Sequence, residues 1–268
     1  MLLSTVGTLA AVYMALVAVM YVAQRGLMYH PSQNLETPRL SGVGEMTAIE
    51  LTTADGLNLV SWYAAPGADR RILVYFHGNG GNIGHRGFKV RPYLDAGFGV
   101  FLVGYRGYGG NPGSPTEEGL YHDGQAVLDK LLGDGVEPKN LVLYGESLGC
   151  GVAVELAWRM AKSGKPVGGI VLEAPFTSMG DAAQAHYPFL PARLLVKDRY
   201  ASRSKIAEVD TDVMIFHGDR DRVVPFDLGE ALFDAAREPK SFKQLSGAHH
   251  NDLYDHGAAE VVLRHLKR

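Results

Sequence analysis

One cysteine in 268 residues, Cys150, leaves no partner for an internal disulfide and no multi-cysteine metal framework. It follows a serine-centred turn and suits a small buried helix position better than a reactive thiol. Basic runs are missing too. The 26 Lys and Arg against 29 Asp and Glu give a formal charge of -3 and a pI near 6.4, which excludes the basic face a nucleic-acid partner requires. The glycines at 78, 80, 81 and 84 do not compose G-x-G-x-x-G, and no Gly-Lys-Ser or Gly-Lys-Thr follows them, so a nucleotide loop is excluded. His249, His250 and His256 lack the H-E-x-x-H spacing of a helical zinc site, so neither a metal nor another cofactor is expected. Charge itself is absent from Leu2 to Gln24.

That uncharged stretch is dominated by Leu, Val, Ala, Met and Tyr and matches one helical crossing of the hydrocarbon core of a bilayer. A secretory signal would want a basic start, a shorter apolar core and a small-x-small cleavage site, so residues 1–25 are expected to form a transmembrane anchor. Tyr21 and Tyr29 flank its exit as interfacial aromatics do. Arg25 and Arg39 follow the span while no Arg or Lys precedes it, which by the positive-inside rule places the rest of the chain in the cytoplasm. Residues 26–45, with Pro31, Pro38, Gly42 and Gly44, read as a linker, and residues 46–268 as one α/β domain separable from the anchor.

In that domain, Met46–Thr53 and Leu57–Ala65 flank Asp55-Gly56, a strong hairpin signal. Bare apolar runs then alternate with helical stretches. Strands are expected at Arg71–Phe76, Gly99–Val103, Leu141–Tyr144, Gly169–Leu172, Val213–Phe216 and Ser241–Leu245. Helices are expected from residue 83 to about Ala96, over Thr116–Leu132 with Thr116 as cap, over Leu148–Lys162, near Phe226–Ala236 and near Asp252–Lys267. Strands apolar throughout and separated by helices mean a mostly parallel sheet covered on both faces. Residues 177–206, with Tyr187-Pro188-Phe189-Leu190-Pro191, break the rhythm and read as a short cap insertion over the carboxyl ends of the strands.

Chemistry centres on Gly145-Glu146-Ser147-Leu148-Gly149, a serine on a tight strand-to-helix turn. A hydroxyl needs a histidine base, itself oriented by a carboxylate, to act as a nucleophile at neutral pH. Asp219 and Asp221 follow one later strand, and His249 and His250 the next; residue types alone do not separate the members of either pair. The order Ser, Asp, His, each just past a strand, is that of an α/β-hydrolase. The N–H of Leu148 and that of Asn79, in the turn His77–Asn82, are the candidate oxyanion donors. Glu173 is an alternative acid better suited to a turn or hydrogen-bonding role, and Arg106 reads as a loop-holding residue.

These motifs, together with Gln24-Arg25, Tyr29-His30-Pro31, Tyr105-Arg106-Gly107-Tyr108-Gly109 and His250-Asn251-Asp252, resemble those of small membrane-anchored α/β-hydrolases. The eukaryotic members of that group include single-pass hydrolase-domain proteins and protein depalmitoylases. The resemblance covers about Gln24 to Leu266; it implies an α/β-hydrolase fold, Asp221 as the acid and His250 as the base. Gly104 stands where Asp is common in the group, and His249 where Gly is common. Together these features imply a serine hydrolase cleaving a small-molecule or lipid acyl ester or thioester at a membrane. A peptidase or amidase, or a catalytically silent tethered binding protein, are the alternatives.

Overall fold

A computed structural model describes residues 2–267. The uncharged stretch forms helix α1 (Leu2–Met28). Ser4–Met28, 25 residues long, rises about 38 Å at 1.5 Å per residue, which fits a single-pass anchor through about 30 Å of hydrocarbon. Most of its side chains are exposed; the half-buried ones, Val17, Met20, Gln24 and Met28, recur at helical spacing, so one face leans on the rest of the protein.

The segment after α1, read from its composition as a linker, lies against the domain. Strand β1 (His30–Pro31) is built into it, and Tyr29 and Val43 are buried in its core. The physical reason is local: Pro31 fixes an extended backbone, and Tyr29 carries a large apolar ring whose hydroxyl meets that of Tyr200 at 2.9 Å. A cut near Gln33 would therefore remove core contacts along with α1.

The hairpin strands are β2 (Thr47–Thr52) and β3 (Asn58–Ala64). After them come β4 (Ile72–Phe76), the short β5 (Gly80–Gly81), α2 (Gly87–Asp95) and β6 (Gly99–Leu102). Next are α3 (Glu117–Gly133), β7 (Leu141–Glu146), α4 (Leu148–Lys162) and β8 (Gly169–Glu173). The insertion holds α5 (Met179–His186) and α6 (Ala192–Leu195). The chain ends with β9 (Val213–Gly218), α7 (Phe226–Ala235), β10 (Lys240–Leu245) and α8 (Ala258–Leu266). The expected C-terminal helix from Asp252 is interrupted at Gly257, whose φ of +84° breaks the helical path between a 3-10 turn and α8.

The eight-stranded sheet has the order β10-β9-β8-β7-β4-β6-β3-β2, with β3 antiparallel to both of its neighbours and the other pairs parallel. Successive side chains of a strand point to opposite faces, so Val74 and Phe76 join the apolar layer holding Leu148 and Leu156, while Leu73 and Tyr75 join that holding Val90 and Val262. The chain leaves β4 first towards β6 and later returns to β7 on its other side. That reversal opens a crevice at the carboxyl ends of β4 and β7, where open sheets of this kind bind ligands.

Candidate active site

Ser147 sits in that crevice, on a backbone that few residues adopt: φ is 50° and ψ -112°. The turn is tight enough to demand glycine on both sides. A Cβ at Gly145 would lie 2.5 Å from the Cys150 Cα, and one at Gly149 2.0 Å from the Phe76 carbonyl oxygen. Ser147 N–H donates to the Glu173 carbonyl at 2.8 Å, tying the strained residue to the end of the next strand.

The carboxyl ends of β9 and β10 bring two more side chains to the serine. Ser147 Oγ lies 3.0 Å from His250 Nε2, and His250 Nδ1 lies 2.6 Å from Asp221 Oδ2. With the Nδ1 proton donated to the carboxylate, a neutral His250 ring has its Nε2 lone pair free to accept from the serine. Asp221 also accepts from His217 Nε2 at 3.1 Å and from the N–H groups of Val223 and Val224 at 2.8 and 2.9 Å. Burial alone would raise its carboxyl, but the hydrogen bonds from His217 and His250 outweigh burial and hold it well below the usual carboxylate range. Asp219 faces the other way, accepting from Gln244 Nε2 and the Gly247 N–H, and His249 is exposed.

The His77–Asn82 turn lies beside Ser147. Asn79 lines the same cavity, and its carbonyl accepts from the Tyr108 hydroxyl at 2.8 Å and the His30 N–H at 2.9 Å. Among the described residues, no protein acceptor takes the N–H of Asn79 or that of Leu148, the first residue of α4. His77 is fully buried against Tyr105, ring centroids 4.3 Å apart. Burial, helped by the charge of Arg86, lowers its imidazole from the ordinary 6.5 to about 3. The unfolded chain therefore takes up a proton below pH 6.5 that the folded chain refuses until about pH 3, so this contribution to stability is complete above 6.5 and is lost as pH falls. We expect His77→Phe to flatten the fall in unfolding free energy from pH 6.5 to 5 relative to the native chain, by a slope approaching about 1.4 kcal/mol per pH unit. Parallel curves in urea would contradict it.

Beneath the turn lies an ionic cluster that sequence reasoning missed. Arg86 grips Glu146 with two hydrogen bonds of 2.9 and 3.0 Å, and Lys89 bridges Glu146 and Glu173 at 3.1 and 2.6 Å. Tyr75 donates to Glu146 at 3.0 Å and Tyr144 to Glu173 at 2.7 Å. Burial would raise the Glu146 carboxyl, yet Lys89 and Arg86 hold it well below its usual range. Glu173 is thus occupied within the cluster rather than by His250. The one signal available was the spacing of Arg86 and Lys89, three residues apart on what becomes one face. Arg106 pairs with Asp55 at 2.6 Å and Asp123 at 2.8 Å, binding the hairpin turn to α3.

An apolar cavity of about 280 Å³ opens at Ser147. Met20, Leu27 and Met28 of α1 form one wall, and Met179, Leu190 and Leu195 of the insertion face them. A nucleophile turn, an adjacent imidazole and carboxylate, and an apolar cavity at the switch point of a mostly parallel sheet define the class: a hydrolase built on an α/β sheet.

Comparison with known proteins agrees. The model of the alpha/beta hydrolase family matches residues 73–205. The chain is 38% identical over 257 residues to the uncharacterized protein MT2364 of Mycobacterium tuberculosis, covering 93% of this chain and 88% of that one. It belongs to the alpha/beta hydrolase family. Lysophosphatidylserine lipase ABHD12 of Danio rerio is 30% identical over 242 residues, covering 78% of this chain and 63% of the lipase, so the match spans under two thirds of that relative. The crystal structure of an alpha-beta hydrolase from Vibrio vulnificus superposes with a TM-score of 0.70 at 24% identity, covering 82% of this chain and 81% of that one, and shares its fold.

Proposed function

We propose that the protein is a membrane-anchored serine hydrolase that cleaves carboxylic esters or thioesters through an acyl-enzyme. The observation that carries this reading is the hydrogen-bonded row Ser147–His250–Asp221 with the serine on a strained turn. His250 Nε2 takes the hydroxyl proton as Ser147 Oγ bonds to the carbonyl carbon, and Asp221 holds the ring and stabilises the imidazolium that forms. The free N–H groups of Asn79 and Leu148 receive the oxyanion, aided by the positive end of the α4 dipole. The intermediate collapses as His250 returns the proton to the departing alcohol or thiol. Water, deprotonated by the same imidazole, then releases the acid and frees Ser147.

No metal or other cofactor enters any step. The apolar cavity and the likeness to a lysophosphatidylserine lipase support an acyl ester rather than a peptide. Residues 1–25 serve as the anchor and residues 46–268 as the catalytic domain, with residues 177–206 as its cap.

Asp221→Asn and His250→Ala are expected to lower turnover of a soluble ester by at least about 10²-fold, whereas Asp219→Asn and His249→Ala retain most of it. Assays of the four variants on an ester, a thioester and an anilide sharing one acyl group check both the roles and the leaving group. A dead His249→Ala beside a live His250→Ala would overturn the base assignment. Faster cleavage of the anilide than of either other substrate would make the protein an amidase.

A further inference from the structure

We infer that the membrane helix itself forms the acyl-chain site, so that chain length is selected by residues of the anchor. This rests on the ester-hydrolase reading above and deepens it. Met20, Tyr21, Gln24, Leu27 and Met28 all line the cavity that opens at Ser147. Their positions, i, i+1, i+4, i+7 and i+8, fall on one face of the helix. Met28 marks the reacting end: its carbonyl accepts from Asn79 Nδ2 at 2.8 Å, beside the proposed oxyanion donor. Met20 lies about 12 Å farther along the axis, at 1.5 Å per residue.

The insertion closes the other side and is fixed to the same helix. Gln24 accepts from the Lys197 N–H at 2.7 Å and donates to the Leu195 carbonyl at 3.3 Å, while Arg25 makes two bonds to Asp198, of 2.8 and 2.9 Å. Higher up, the Tyr13 hydroxyl donates to the Phe189 carbonyl at 3.0 Å, and Phe189 and Leu194 are largely exposed beside a helix whose outer face is apolar. The trough thus runs parallel to α1, with its far end at the level of the apolar span. A hydrocarbon chain in a leaflet lies in that same direction. The occupant is therefore the acyl chain of a membrane-embedded ester, entering between α1 and the insertion with its carbonyl at Ser147. Each further methylene buried against the lined helix favours binding, so each turn of it adds discrimination for length.

The test uses the full chain in lipid nanodiscs, with Met28→Trp near the reacting end, Met20→Trp at the far end and Val22→Trp on the opposite, exposed face. Specificity constants are measured for esters of one alcohol with acyl chains from two to sixteen carbons. Labelling by a short-chain fluorophosphonate is read in parallel to show that the serine centre is assembled. Met20→Trp should lower the ratio of sixteen- to four-carbon kcat/KM at least tenfold, and Met28→Trp should move the cut-off to shorter chains. Val22→Trp should leave the profile unchanged. Labelled proteins with superimposable profiles at positions 20, 22 and 28 would overturn the inference while leaving the hydrolase standing. A native chain that resists labelling and hydrolyses no ester would remove the reading beneath it.

Discussion

Ser147→Ala will lower ester turnover by at least about 10³-fold while leaving the thermal midpoint close to that of the native chain. The two halves of this expectation have separate physical origins. Catalysis loses the atom that bonds to the acyl group, and neither His250 nor Asp221 can act on the substrate carbonyl without it, so the loss approaches that of removing the whole constellation. Stability loses little, because the hydroxyl's partner in the protein is an imidazole at the crevice, and alanine keeps the N–H bond to Glu173. Alanine still has to occupy a φ of 50°, but so does serine, and the strain cancels between the two. Assay and melting curve must be read on the same preparation. A folded variant that retains most of its turnover would place the nucleophile elsewhere.

Glu146→Ala is expected to have the largest effect on stability, about 3–5 kcal/mol, because it strips the carboxylate from a buried cluster holding two cations. Arg86 and Lys89 are both nearly buried; Lys89 keeps Glu173, whereas Arg86 loses both of its hydrogen bonds to a carboxylate. For a domain of this size that corresponds to a fall in Tm of roughly 6–20 °C. The cost lies mainly in stranding a charge and less in the pair itself, so Glu146→Leu combined with Arg86→Met should be less destabilised than the sum of the two single changes. Additive losses in detergent-solubilised protein would show that the two groups act independently.

Much of the sheet was legible because its signals are local. Bare apolar runs mark β4, β7, β8 and β9, and Asp55-Gly56 marks the hairpin. Thr116 caps α3 as expected, its hydroxyl accepting from the Gly119 N–H at 3.0 Å. The elbow could be read from two glycines at fixed offsets from Ser147, since backbone crowding there leaves no other choice. The choice between Asp219 and Asp221, and between His249 and His250, was not legible from residue types: it depends on which way adjacent side chains point, and the distinction came from resemblance.

What escaped entirely is non-local. Strands β1 and β5 have two residues each, too few to show a period, and pair across some fifty positions. Arg86, Lys89, Glu146 and Glu173 lie on four stretches, the 3-10 turn before α2, α2 itself, β7 and β8, so no local spacing shows that the two carboxylates join the two cations. That α1 also lines the cavity at Ser147 escaped for a different reason: a uniformly apolar helix has no polar face to reveal which side packs on protein. Residues 26–45 have the composition of a linker, and the contacts that tie Tyr29 and His30 to Tyr200 and the Asn79 turn reach too far along the chain to be read from it.

The central proposal, that Ser147 carries the acyl group, is tested most directly by mixing the full chain with excess of a slow ester, quenching in acid within a second, and mapping the digest by mass spectrometry. The expected result is one acyl adduct on the peptide containing Ser147, accumulating in a burst and absent from Ser147→Ala. Turnover with no adduct at any time point, or an adduct on another residue that survives Ser147→Ala, would contradict it.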